Sequence, residues 1–91
     1  MAFYVVTYDL KKKAESEYQD LWDELDSMDS IKTQKSVYLV SSARTQKEVL
    51  EALRPHIQED DFVMVVTFSR KPSYTKALKG TNAWITLHFP D

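Results

Sequence analysis

The chain predicts an α+β fold of the ferredoxin-like kind: a four-stranded antiparallel sheet, two helices on one face, and a C-terminal extension. Three observations carry this expectation. Runs of β-branched and aromatic residues recur through residues 1–68, and two stretches between them repeat apolar residues at helical spacing. The resulting order is strand, helix, strand, strand, helix, strand. With 91 residues the chain can build one core with little surplus stability, so 1–91 reads as a single domain. Its core covers about residues 1–68 and the extension about 69–91.

The opening run, Ala2-Phe3-Tyr4-Val5-Val6-Thr7-Tyr8, has strand character and stops on Asp9, followed by Leu10 and three lysines. Ala14, Tyr18, Leu21, Trp22, Leu25 and Met28 then recur at three- and four-residue steps. That spacing predicts an amphipathic helix over about residues 13–28, with Trp22 in its buried stripe. Ile31 to Val40 reads as a short strand near 31–34 and a second at 36–41. The join at Lys35-Ser36 lacks the Gly or Asn that a tight hairpin prefers, so a single kinked strand is the alternative.

Thr45-Gln46-Lys47-Glu48 has the spacing of a capping box, which starts the second helix. Val49, Ala52 and Leu53 form its buried stripe, and Pro55 ends it at Arg54. Phe62 to Phe68 is almost wholly apolar and reads as a strand buried on both faces. Pro72 and Gly80 mark loop in the extension. Residues 82–89 suit helix or strand, and a cap at Thr81 or Asn82 favours helix. On the first strand, Phe3, Val5, Thr7 and Asp9 share one side and Tyr4, Val6 and Tyr8 the other. One apolar side covers the helices. The other needs a partner, so a homodimer is expected.

Composition removes several classes of function. The chain has no cysteine, which excludes disulfides, thiolate zinc sites and thiol catalysis. No apolar run approaches membrane-spanning length and no basic leader precedes a long apolar stretch, so a soluble cytoplasmic protein without a membrane partner is expected. The net charge of −2 gives no overall attraction to nucleic acid. Charge is nevertheless segregated. Seven acids and no base fall between Ala14 and Ser30, whereas Lys11, Lys12 and Lys13 precede them, and Arg70, Lys71, Lys76 and Lys79 share a tract without acids. Such a split permits a basic face, although charge runs are usually solvated faces.

Asp9, at the exit of an apolar strand, suits a metal- or proton-handling group, and equally a turn or loop residue. His56 and His88 read as surface or core-edge histidines, and Trp84 as the anchor of the tail. Tyr4, Tyr8 and Tyr38 lack the basic-aromatic signature of an RNA-binding sheet. No P-loop, dinucleotide fingerprint or serine elbow is present.

Tyr8-Asp9-Leu10 closing a first strand, then a helix, then Gln34-Lys35-Ser36-Val37-Tyr38, resembles the CRISPR-associated protein 2 superfamily of small ferredoxin-like homodimers. Arg54-Pro55-His56, beside an acidic turn, is similar to small free-standing relatives. The resemblance implies that Asp9 of two protomers faces its copy across the dimer axis and holds Mg2+ (or Mn2+) for hydrolysis of RNA or DNA phosphodiesters. Ser36 would assist by hydrogen bonding, and Lys11, Lys12, Lys13, Arg70 and Lys71 would contact phosphates. It equally implies a non-catalytic adaptor that bridges an integrase-type partner and duplex DNA. Many members carry an arginine and a further acid after the Tyr-Asp pair; this chain has lysines and no such acid. Two classes therefore stand: a metal-dependent endonuclease and a dimeric adaptor.

Overall fold

The computed structural model describes residues 1–11 and 15–90. Its four strands are β1 (Ala2–Asp9), β2 (Asp29–Gln34), β3 (Val37–Ser42) and β4 (Phe62–Phe68). They form one antiparallel sheet in the order β2-β3-β1-β4, which is the ferredoxin-like arrangement. Helices α1 (Gln19–Asp26) and α2 (Gln46–Leu53) lie on one face, and α3 (Thr81–His88) extends the domain at its C-terminal end.

The main core follows the alternation of β1. Tyr4, Val6 and Tyr8 point toward the two helices and pack with Tyr18, Leu21, Leu25, Val49 and Leu53. Each of these aliphatic side chains contributes on the order of 1.5–3 kcal/mol by leaving water. Trp22 sits at the rim of this core, 5.3 Å from the Tyr8 ring and stacked on Tyr38. The three tyrosines of the sheet are thereby buried beneath helices and offer no stacking platform.

The predicted helix over residues 13–28 is shorter than its apolar spacing suggests. Its positions 13 and 14 lie outside the described residues, Glu15–Tyr18 form a 3-10 turn, and the α-helix stops at Asp26. No basic residue occupies its last turn, so nothing there offsets the C-terminal end of the dipole. β2 accordingly begins early, at Asp29, which pairs with Ser41. The α2 capping box forms as expected: Glu48 N donates to Thr45 Oγ1 at 3.1 Å, and Thr45 N donates to Glu48 Oε1 at 2.8 Å.

Lys35 and Ser36 form a turn between two separate strands, rather than lying in one kinked strand. Neither has a positive φ, so the turn is not of the primed type whose twist matches a hairpin. The mismatch is absorbed by a bulge between Lys32 and Gln34. The bulge residue, Thr33, is buried and holds the C-terminal segment. Its carbonyl accepts from Leu78 N at 2.8 Å, and its hydroxyl lies 3.2 Å from that of Thr81.

β4 departs from the expectation of burial on both faces. Phe62, Met64 and Val66 are 62%, 61% and 43% exposed. Two causes combine: β4 is an outermost strand, and α3 with Phe89 covers β2, β3 and the Phe3/Phe68 end of the far face but not Phe62, Met64 or Val66. Thr81 sits against Thr33 and Trp84 Nε1 donates to Asp29 Oδ1 at 3.0 Å, so α3 runs antiparallel along β2. His88 Nε2 lies 2.9 Å from the other Asp29 oxygen, off-line for a hydrogen bond. Trp84 and Ile85 close a second core over Leu39, Ile31 and Phe3, and Phe89 tucks over Phe3 and Phe68. Trp84 therefore anchors the tail, as its sequence context suggests.

Candidate functional site

Asp9 is the last residue of β1 and pairs with Phe62, the first of β4. Strand alternation directs it to the far face of the sheet, in line with Thr7 and Val5. Its side chain is 68% exposed, and Oδ2 lies 3.5 Å from Lys11 Nζ. The same ammonium stands 4.5 Å over the Phe62 ring. An exposed ion pair of this kind contributes little to stability, about 0–1 kcal/mol, but it sets a cation directly against the Asp9 carboxylate. A shallow depression of about 490 Å³ opens here, lined by Asp9, Asp61, Phe62 and Met64 with neighbouring backbone.

Asp61 looks like a second acid for this site and is otherwise engaged. It is buried, with Oδ1 accepting from Lys11 N at 2.8 Å and from the Tyr18 hydroxyl at 2.9 Å. Oδ2 accepts from Gln58 N at 2.7 Å. Burial alone would raise the Asp61 carboxyl, but the Lys11 and Gln58 amides and the Tyr18 hydroxyl outweigh it and hold the group below the ordinary carboxylate range. Asp61 thus pins the exit of β1 to the approach of β4 and to the start of α1.

Ser36 belongs to the β2–β3 turn, and its carbonyl accepts from Tyr8 N at 3.1 Å. Ser36 and Asp9 are therefore brought to the same end of the sheet. Tyr8 is not a base for that site. Burial, with Tyr38 beside it, pushes its phenol well above the usual range, and its hydroxyl donates to Lys35 O at 3.1 Å.

Of the three lysines that follow the first strand, Lys11 is the one whose position is described; Lys12 and Lys13 lie outside the described residues. Arg70 and Lys71 follow the end of β4, where Phe68 faces Phe3. From Phe3 to Asp9 the strand rises about 20 Å at roughly 3.3 Å per residue, so these two cations sit at the opposite end of the sheet from Asp9. One chain does not unite the two basic groups.

The residues of one chain do not fit a divalent cation by themselves. Among the described residues no group of three or more His, Asp or Glu side chains converges. Of the two acids at the site, Asp61 already accepts three hydrogen bonds and Asp9 faces an ammonium. Mg2+ requires near-octahedral oxygen coordination, for which one carboxylate is a poor start. Sequence reading missed Asp61 because two of its three donors, Lys11 N and the Tyr18 hydroxyl, are distant in sequence, and only Gln58 N belongs to its own turn. The sole hint was an acidic pair, Asp60-Asp61, directly before an apolar strand.

A ferredoxin-like sheet with an exposed carboxylate at the exit of its first strand and a partly uncovered far face defines a small α+β domain of the ferredoxin-like class. The sequence model of the family described as CRISPR associated protein Cas2 matches residues 1–76, and the chain belongs to that family. A crystal structure of a hypothetical protein, TT1823, from Thermus thermophilus has the same fold. It superposes with a TM-score of 0.65 at 17% identity, covering 81% of this chain and 89% of that one. No helix among the described residues is long and apolar enough to cross a membrane.

Proposed function

We propose that this Cas2-family chain works as a homodimeric, nucleic-acid-directed adaptor, its two copies joined through the uncovered part of the far sheet face. One observation carries the reading: Phe62, Met64 and Val66 line up exposed beside Asp9, next to half-buried Val5 and Thr7. Three large apolar side chains in a row on one strand form a contiguous patch, and such patches mark contact surfaces. The ion pair between Asp9 and Lys11 favours the adaptor, because it sets an ammonium against the exposed carboxylate that a catalytic cation would need. An integrase-type protein and duplex DNA are the partners that suit an adaptor of this family.

The second reading is phosphodiester hydrolysis that depends on Mg2+ or Mn2+, and the exposure of Asp9 favours it. Two copies of Asp9 would be needed, with both lysines turned away, and Ser36, at the same end of the sheet, would assist by hydrogen bonding.

Light scattering tests the dimer. The wild type is expected at twice the monomer mass, and Met64→Lys at the monomer mass with an unchanged circular dichroism spectrum. A wild-type monomer at every concentration overturns the reading. Incubation of RNA, single-stranded DNA and duplex DNA with Mg2+ or Mn2+ separates the two activities. The adaptor predicts salt-sensitive binding without cleavage; cleavage lost in Asp9→Ala establishes the nuclease.

A further inference from the structure

Resting on the adaptor reading, we propose that Lys11 is the resident cation of the Asp9 site: its ammonium takes the place that a divalent ion would need, so the exit of β1 works without Mg2+ or Mn2+. The positive charge beside the carboxylate is thus part of the chain itself. Three contacts hold it there, one at the backbone and two at the head group.

The root of the side chain is fixed first. Lys11 N donates to Asp61 Oδ1 at 2.8 Å, and Asp61 is itself buried and held by the Tyr18 hydroxyl and Gln58 N. The head group is fixed next. Nζ lies 3.5 Å from Asp9 Oδ2 and 4.5 Å over the centre of the Phe62 ring. Phe62 pairs with Asp9 across the β1–β4 ladder, so these two side chains stand side by side on one face of the sheet. The electron-rich face of the ring and the carboxylate therefore draw the ammonium to the same point. A lysine without such contacts extends into water, whereas this side chain is 41% exposed.

That position conflicts with a metal. Mg2+ takes oxygen ligands at about 2.1 Å, so an ion on Asp9 Oδ2 would stand within about 6 Å of Nζ. Between a divalent and a monovalent cation at that distance, repulsion lowers affinity about tenfold even at the dielectric of water. No other donor set compensates. Among the described residues no three acids or histidines converge, and both oxygens of Asp61 already accept hydrogen bonds. Joining two copies does not change the balance, since each Asp9 arrives with its own Lys11.

The pairing also gives the site a use that a bare carboxylate lacks. An unpaired Asp9 beside the exposed Phe62, Met64 and Val66 would repel the matching carboxylate of a second copy, and any phosphate passing the strand end. Lys11 opposes both repulsions from a fixed position and without a bound ion. An adaptor built in this way assembles in a chelator as well as in magnesium.

Mn2+ alone is the probe, titrated into the full-length protein and followed by loss of its free-ion electron paramagnetic resonance signal. Lys11→Met keeps most of the stem, removes the charge and leaves the backbone bond to Asp61 available. It is expected to bind Mn2+ about tenfold more tightly than wild type, with an unchanged circular dichroism spectrum. The gain is expected to vanish in the Lys11→Met, Asp9→Asn double variant, and Lys11→Arg is expected to match wild type. Lys11→Gln repeats the measurement with a polar side chain if Lys11→Met alters the fold. Charge-removing variants that bind Mn2+ no more tightly than wild type, or a gain that survives Asp9→Asn, overturn the proposal. No nucleic acid enters this titration, so that failure leaves the adaptor reading standing. Cleavage by the wild type in Mg2+ that is lost in Asp9→Ala overturns both.

Discussion

Two aspartates near the exit of β1 differ in what surrounds them, and the difference assigns their work. Asp9 is solvated and meets one ammonium, so its removal leaves the fold intact; Asp61 is buried and holds three chain segments together. Asp61→Asn keeps the shape but replaces one of the two accepting oxygens with an NH2 group that cannot receive an N–H or O–H. Leaving one or two of those donors unmet is expected to cost about 1–3 kcal/mol, read as a lower midpoint in urea with an unchanged slope. The pH dependence follows from the carboxyl being held below its unfolded value of about 3.9. In that range the unfolded chain binds the extra proton, so the contribution is complete above about pH 4 and is lost as pH falls through the folded-state value. Urea titrations across pH 2–6 should therefore show the gap between wild type and Asp61→Asn closing in acid. A gap that stays constant would mean that the carboxylate charge is immaterial.

At the scale of elements, α3 depends on a single backbone feature. Gly80, the only glycine, precedes α3 with φ +94°, a left-handed conformation that other residues adopt at a cost of about 1–2 kcal/mol. A Cβ there would also stand 3.1 Å from Ile31 Cδ1. Gly80→Ala is thus expected to loosen α3 first, and hydrogen exchange should speed up in residues 81–88 while β1 and β3 keep their protection. Equal acceleration throughout would show instead that α3 and the sheet unfold as one unit. The contrast with α2 explains what the sequence makes legible. α2 is announced locally by Thr45, Glu48 and its apolar stripe, and β1 by strict alternation. α3 carries Trp84 and Ile85, yet nothing adjacent in sequence says that they fit Leu39 and Phe3, some 45 and 80 residues away. The same applies to β4. Its apolar run identifies a strand, but edge position and exposure follow from strand order, which depends on pairings across the whole chain. The site divides likewise: Asp9 and Ser36 are legible as motif residues, whereas the Asp61 clamp exists only once residues 11, 18 and 58 meet.

For the whole molecule, the proposed function asks how an acidic chain of net charge −2 would engage a polyanion. Attraction cannot come from total charge, so it must be local, and the candidate groups occupy two places. Lys11, with Lys12 and Lys13 following in sequence, leaves the Asp9 end, and Arg70 and Lys71 follow the far end of β4. In the proposed dimer both groups would occur twice, so an extended duplex would meet separated basic stations rather than one patch. Each phosphate neutralised by a lysine releases counterions and contributes about −0.9 to the slope of log K against log salt. Lys12→Ala with Lys13→Ala removes two such contacts per copy and spares the Asp9–Lys11 pair. Duplex binding measured from about 50 to 200 mM salt should therefore weaken, and its slope should become shallower by roughly 2 per copy that engages the duplex, about 4 if both do. The dimer mass should stay unchanged. The double variant's binding curve separates the possible stations: an unchanged slope would place the phosphates on Arg70 and Lys71 alone, and would move the nucleic acid to the end of the sheet remote from Asp9.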